Sequence, residues 1–162
     1  MNAPGQAGCE CDRYPDLANI PMGFDGDDEQ FFATISEIAR HGGSQWWLWL
    51  GACLVCHQAW QVAQDERIFD EYLLQRLDPT AAELIQTANL WPPNFLRFED
   101  VLRELGKRSN FPNWFDLNDS PLVYTIRELM EANPALKLED AAGLVGLNAV
   151  ELGKLRLDGN SR

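Results

Sequence analysis

Histidine and basic residues, which carry much of enzyme and nucleic-acid chemistry, are scarce in this chain of 162 residues. It has only 2 histidines, and 25 aspartates and glutamates outnumber its 13 lysines and arginines. Few histidines leave few ways to assemble a Ser/His/Asp or Cys/His catalytic group. The formal net charge of −12 repels phosphate backbones. Nucleic acid is therefore not expected as a partner.

The chain also lacks the stretch of about 20 apolar residues that a membrane-spanning helix needs. Its longest strongly apolar run covers residues 46–56, and residues 1–8 show neither the basic cluster nor the apolar region of a signal peptide. We therefore expect a cytoplasmic protein without a membrane partner. Because P-loop, G-x-G-x-x-G and H-E-x-x-H motifs are all missing, we expect no enzyme and assign no catalytic residues.

Cysteine is rare too, but its placement is informative. Cys9 and Cys11 form a C-x-C, Cys53 and Cys56 form a C-x-x-C, and 41 residues separate the two pairs. Two closely spaced pairs can supply the four thiolates of a tetrahedral structural zinc site. In a reducing compartment, clustered cysteines indicate metal before disulfide. The pattern predicts a structural Zn²⁺ that ties the N-terminal arm to the middle of the chain.

Two other interpretations of the cysteines remain open. The pairs can be unrelated and bind no metal, or the C-x-x-C can be a redox pair. A reactive pair usually lies at a helix N-terminus, where the dipole lowers the thiol pKa, whereas the flanks at 49–52 and 58–62 are typical of extended chain. His41 or His57 can replace one thiolate, but four cysteines already complete the shell.

The predicted fold class is α+β and mostly helical. Residues 1–26 are rich in Gly, Pro and Asp and predict an irregular arm. A helix is then expected to begin at Asp27 or Asp28 and to end at Gly42. Aromatic-rich residues 46–50 and residues 58–63 predict a small β-hairpin around the C-x-x-C, which together form a zinc knuckle.

The rest of the chain is predicted to pack this hairpin with helices, about six in all. Ile68, Phe69, Tyr72, Leu73 and Leu77 fit one helix face, and later helices are expected to start at Asp78-Pro79 and Ser120-Pro121. The predicted domain organisation is an arm over residues 1–26, a zinc-knuckle hairpin with a helical core over 27–119, and a C-terminal helical segment over 120–162.

Acidity also bears on the partner. A negative chain associates fastest with a basic partner, although solubility alone also explains such a charge. Residues 1–44 carry eight acidic and two basic side chains. Carboxylates near the start of the first helix and two loop aromatics are therefore candidate partner contacts: Asp25, Asp27, Asp28, Glu29, Trp114 and Phe115.

Residues 138–156 resemble a helix-turn-helix, with Ala142, Gly146 and Leu152 at the small, turn-glycine and apolar positions. A DNA-binding regulator is therefore the alternative function. Its predicted recognition helix carries only Lys154 and Arg156 as cations, whereas a DNA reader needs cations to neutralise phosphates. A basic patch contributed by residues 103, 107 and 108 would favour this alternative.

One block of the sequence supports a more specific interpretation. Residues 53–67 have the pattern C-x-x-C-x-x-x-W-x-V-A-Q-[DE]-E-R, and the C-x-C at residues 9–11 is followed by Tyr-Pro-Asp-Leu at 14–17. Over roughly residues 9–77, the chain resembles a family of small zinc-binding bacterial proteins associated with toxin immunity proteins. The resemblance implies a non-enzymatic immunity protein that binds a co-encoded basic toxin and occludes its active site.

Overall fold

The computed structural model describes residues 8–23, 25–108 and 116–157. The chain divides into two compact units. The first comprises Met1–Gln64 and Glu71–Arg97, and the second comprises Asp65–Asp70 and Phe98–Arg162. No helix within the described ranges is both long and apolar enough to cross a membrane.

A five-stranded sheet forms the centre of the first unit. The strands are β1 (Ala18–Pro21), β2 (Ile35–Arg40), β3 (Leu48–Cys53), β4 (Ala59–Asp65) and β5 (Glu71–Leu77). Their spatial order is β1-β5-β4-β3-β2, so the last four form a meander and β1 joins it at the β5 edge. The pairs β1–β5, β2–β3 and β3–β4 are antiparallel.

One face of the sheet is covered by helix α1 (Asp27–Phe32) and by the chain before β1. Alternation along the strands places Trp49, Trp60 and Val62 on this face. Phe31 of α1 meets the ring of Trp60 edge-on at a centroid distance of 5.5 Å. The buried cluster on this face comprises Cys11, Ile20, Phe31, Trp49, Cys53, Trp60, Val62 and Leu74.

The opposite face is covered by helix α2 (Pro79–Ala88), whose Ala82 and Ile85 pack with Leu50, Ala59 and Leu77 of the sheet. Asp78 caps α2 by accepting a hydrogen bond from the Ala81 backbone N–H at 2.8 Å. This is the Asp-Pro start that the sequence predicts. Because both faces are covered, β3 and β4 are buried along nearly their whole length.

The prediction of a mostly helical fold with one small hairpin is wrong, because the sheet has five strands. The hairpin is present as β3 and β4, but β2 pairs with β3, β5 lies beside β4, and β1 pairs with β5. The predicted first helix stops at Phe32, and residues 35–40 form strand β2 against β3. Residues 71–77, expected to be helical, form β5, and the arm over residues 1–26 contains β1 and a 3₁₀ turn at Cys11–Arg13.

The second unit is helical where it is described. Its helices are α3 (Phe98–Arg108), α4 (Ser120–Ala132), α5 (Leu138–Leu144) and α6 (Ala149–Lys154), and α5 contacts both α3 and α4. Buried Asp65 begins this unit with a tight turn. Its carboxylate accepts hydrogen bonds at 2.6–3.1 Å from the backbone N–H groups of Arg67, Ile68 and Phe69.

Candidate metal centre

The four cysteines meet at one end of the first unit. Cys9 and Cys11 come from the chain before β1, Cys53 ends β3, and Cys56 lies in the turn that leads to β4. All four Sγ atoms lie within 4.8 Å of one another. The sequence prediction that the C-x-C and the C-x-x-C converge is therefore confirmed, and the cluster could hold a metal ion.

The C-x-x-C turn is closed by the backbone. The Cys53 N–H donates to the Gln58 carbonyl, and the His57 N–H donates to the Cys53 carbonyl, each at 3.0 Å. His57 adopts the left-handed conformation with φ of 63°, which is uncommon outside glycine. This reversal returns the chain into β4 directly after the second thiol, so the turn places both of its sulfurs within 4.8 Å of those of Cys9 and Cys11.

Polar hydrogens surround three of the sulfurs. Backbone N–H groups donate to Cys53 Sγ from Val55 and to Cys9 Sγ from Cys11, both at 3.4 Å. The indole Nε1–H of Trp60 donates to Cys11 Sγ at 3.4 Å. Donors at this position stabilise the thiolate, which is the form that binds a metal.

The local environments shift the thiol pKa values in opposite directions. Burial alone would raise the pKa of Cys53, but hydrogen bonds with the Cys56 backbone, the Thr34 hydroxyl and the Val55 backbone lower it to about 6. Burial raises the pKa of both Cys9 and Cys11, and the neighbouring thiols of Cys53 and Cys56 raise it further. Four thiolates this close together would repel one another. A cation bound between them would compensate this repulsion and stabilise the ionised form.

The dimensions of the cluster fit a tetrahedral thiolate site. Zn–S bonds of about 2.3 Å imply sulfur–sulfur separations of about 3.8 Å along the edges of the tetrahedron. The sulfurs of Cys9 and Cys56 are 3.2 Å apart, and no pair in the cluster exceeds 4.8 Å. All four cysteines are free thiols. Small side-chain adjustments would therefore suffice to surround an ion.

Solvent reaches the cluster from one side. Cys11 and Cys53 are each 1% exposed, whereas Cys56 is exposed. Cys56 and His57 line a cavity of about 630 Å³ beside the cluster. Within the described ranges, neither His57 nor His41 belongs to a group of metal-ligating side chains, and the His41 ring lies edge-on to Trp91 instead.

Three of the candidate partner-contact residues lie at the start of helix α1. Asp27, Asp28 and Glu29 occupy the first turn of α1, where acidic side chains favour the helix dipole. Asp27 lies 3.6 Å from Arg13, and Asp28 accepts a hydrogen bond from the Gly23 N–H at 2.8 Å. Asp25 and Glu29 are exposed. Trp114 and Phe115 lie outside the described residues.

The segment that resembles a helix-turn-helix folds as two short helices, α5 and α6, around a left-handed Gly146 with φ of 82°. Asn148 caps α6 with a capping box that includes Glu151. The three cations named above as a potential basic patch are all paired on α3. Arg103 binds Glu99 and Asp100, and Lys107 and Arg108 both bind Glu104, at distances of 2.6–3.2 Å.

Comparisons with protein-family models, with curated proteins and with solved structures find no match to this chain. They therefore do not link it to an immunity-protein family. The candidate metal centre rests on the convergence of the four cysteines, which could hold a metal ion.

Sequence reasoning missed the residues that support the cysteines. Thr34 contacts the sulfur of Cys53, Trp60 contacts that of Cys11, and Arg76 contacts the carbonyl of Cys11. The Arg76 contacts require residues 71–77 to be a strand, which the helical interpretation of that segment concealed. Trp60 gave a usable signal, because it follows the C-x-x-C closely and shares one face of the predicted strand with Val62.

Proposed function

We propose that this chain is a non-enzymatic binding protein whose first unit is stabilised by a structural zinc ion on Cys9, Cys11, Cys53 and Cys56. The observation that carries the proposal is the convergence of all four sulfurs to within 4.8 Å. Soft thiolates in a tetrahedral set select zinc or iron among the first-row metals. Zinc is the metal of closed structural Cys₄ sites.

A structural role is favoured over a catalytic one by the ligand set. Four thiolates fill the tetrahedron and leave no position for a substrate or an activated water. The ligands also come from distant parts of the chain, so the ion would join the segment before β1 to the turn after β3. Such a cross-link stabilises a fold, as zinc does in small metal-dependent domains.

The proposed partner is a basic polypeptide. The net charge of −12 supports this, as does the engagement of two cations of the first unit in ion pairs: Arg13 with Glu10 and Arg40 with Glu37. Electrostatic complementarity of this kind accelerates association and selects the partner. Occlusion of a co-encoded basic toxin, as the sequence resemblance implies, is the specific form of this proposal.

The binding proposal is tested with the product of the neighbouring gene as the probe. We expect titration calorimetry to detect a complex with zinc-loaded protein, and Glu29→Lys to weaken it more than Glu83→Lys. Both residues are exposed glutamates on helices of the first unit, so the charge change is matched. Absence of a complex, or equal weakening by the two variants, would contradict the proposed partner surface.

The second candidate function, DNA binding through residues 138–156, is favoured by the two helices around Gly146. The pairing of Arg103, Lys107 and Arg108 with acidic residues of their own helix argues against it. Binding to a random-sequence duplex, measured by fluorescence anisotropy at low and high salt, separates the two functions. A salt-dependent affinity that Lys154→Gln and Arg156→Gln weaken would establish the DNA-binding function instead.

A further inference from the structure

Arg76 of strand β5 contacts the backbone of the segment that carries Cys11. This β5 residue donates from Nε to the Tyr14 carbonyl at 3.1 Å and from one terminal nitrogen to the same carbonyl at 2.9 Å. The same nitrogen also donates to the carbonyl of Cys11. Its other terminal nitrogen donates to Gln58 Oε1 at 3.0 Å. A single guanidinium therefore connects residues 11–14 with the chain that follows the C-x-x-C.

Trp60 extends this connection to a ligand sulfur. The Arg76 guanidinium carbon lies 4.6 Å from the centroid of the fully buried Trp60 ring, in cation–π geometry. The Trp60 Nε1–H donates to Cys11 Sγ at 3.4 Å. Arg76 thus fixes the backbone of Cys11, and Trp60 fixes its side chain.

We propose that Arg76 and Trp60 are positioning residues of the metal site, which hold the Cys11 arm in its ligating position and compensate the charge of the bound centre. Zinc with four thiolates carries two net negative charges, so a fixed cation beside a ligand residue stabilises the loaded state. Partners outside the ligand shell orient ligands and tune metal affinity. This inference rests on the proposed zinc site.

The planar fork of arginine is essential to this role. Three of its donors reach two backbone carbonyls and one amide oxygen in a fixed arrangement. A lysine ammonium keeps the charge but provides no planar fork for these acceptors. Arg76→Lys therefore separates positioning from charge compensation, and Trp60→Phe removes the N–H to sulfur while it keeps an aromatic ring beneath Arg76.

The test is the zinc dissociation constant of the full chain, measured by competition with a chromophoric chelator. We expect Arg76→Met to raise this constant about 10- to 100-fold, the usual effect of removing a supporting contact. Arg76→Lys and Trp60→Phe are expected to raise it less. The matched control is Arg40→Met, which removes a β2 arginine bound to Glu37 and to the Trp46 carbonyl and should leave zinc affinity unchanged.

The outcomes distinguish positioning from general stabilisation. If Arg76→Met and Arg76→Lys destabilise the zinc-free protein in urea but bind zinc as tightly as the wild type, the inference is wrong. Should Arg76→Met not fold, Arg76→Lys still decides the question, because it keeps the positive charge of the side chain. A wild-type protein that binds no zinc would refute the proposed function, whereas equal affinity in all variants would refute only this inference.

Discussion

Removal of the metal is expected to destabilise the first unit by an amount that depends on the length of the loop that the ion closes. A zinc ion bound by Cys11 and Cys53 closes a loop with 41 intervening residues. Treated as a cross-link that restricts the unfolded chain, closure of a loop of this length is worth about 4 kcal/mol. For a chain of this size, that corresponds to a fall in Tm of roughly 8–16 °C.

The assay is thermal and urea unfolding of the zinc-loaded protein with and without excess chelator, followed by tryptophan fluorescence. Five of the six tryptophans belong to the first unit, so the signal reports mainly on the unit that carries the cluster. Cys11→Ser is the control, since it cannot complete the four-thiolate shell. We expect the chelator to have no further effect on that variant.

The ion does not act as a cross-link if metal analysis shows that the chelator has removed the zinc and Tm still changes by less than about 2 °C, well below the loop-closure estimate. That result would mean that protein contacts hold the segment before β1 without the ion. The same conclusion would follow if Cys11→Ser lost as much stability to the chelator as the wild type.

Of two further predictions, the first concerns close packing in the sheet and the second concerns the hydrogen bonds of a buried carboxylate. Gly51→Ala should destabilise the sheet by about 1–3 kcal/mol, because an added Cβ would lie 2.6 Å from Ile35 Cγ2 and 2.9 Å from Trp49 Cζ3. Urea unfolding checks this against Gly43→Ala, which meets nothing within 4 Å. Asp65→Asn should cost about 1–3 kcal/mol, because the amide nitrogen cannot accept and at least the Arg67 N–H loses its acceptor; equal stability of this variant and the wild type would show that the tight turn forms without the carboxylate.

The cysteine cluster was largely predictable, because the sequence itself shows all four candidate ligands. With only four cysteines in the chain, the two pairs could complete one tetrahedral shell only by meeting. The supporting contacts were not predictable from spacing. Thr34 and Arg76 approach the cluster only once β2 and β5 have paired with their neighbours, and this pairing is a property of the tertiary structure.

The fold was less predictable, because a short apolar run fits a buried strand as well as one face of a helix. Tyr72, Leu73 and Leu77 fit a helix face, yet in β5 they serve opposite faces of a sheet that is covered on both sides. A strand covered on both faces loses the alternation that identifies it. Helix α2 was predictable in contrast, because Asp78 and Pro79 fix its start through local chemistry.

The most direct test of the account is the metal content of untagged protein together with a thiol titration, for wild type beside Cys53→Ser. We expect about one zinc per wild-type chain, the capacity of a single four-cysteine shell, with all four thiols reacting only after denaturation. Cys53→Ser should lose the metal and expose its remaining thiols. Wild-type protein without metal, with four freely reactive thiols, would contradict the proposed centre.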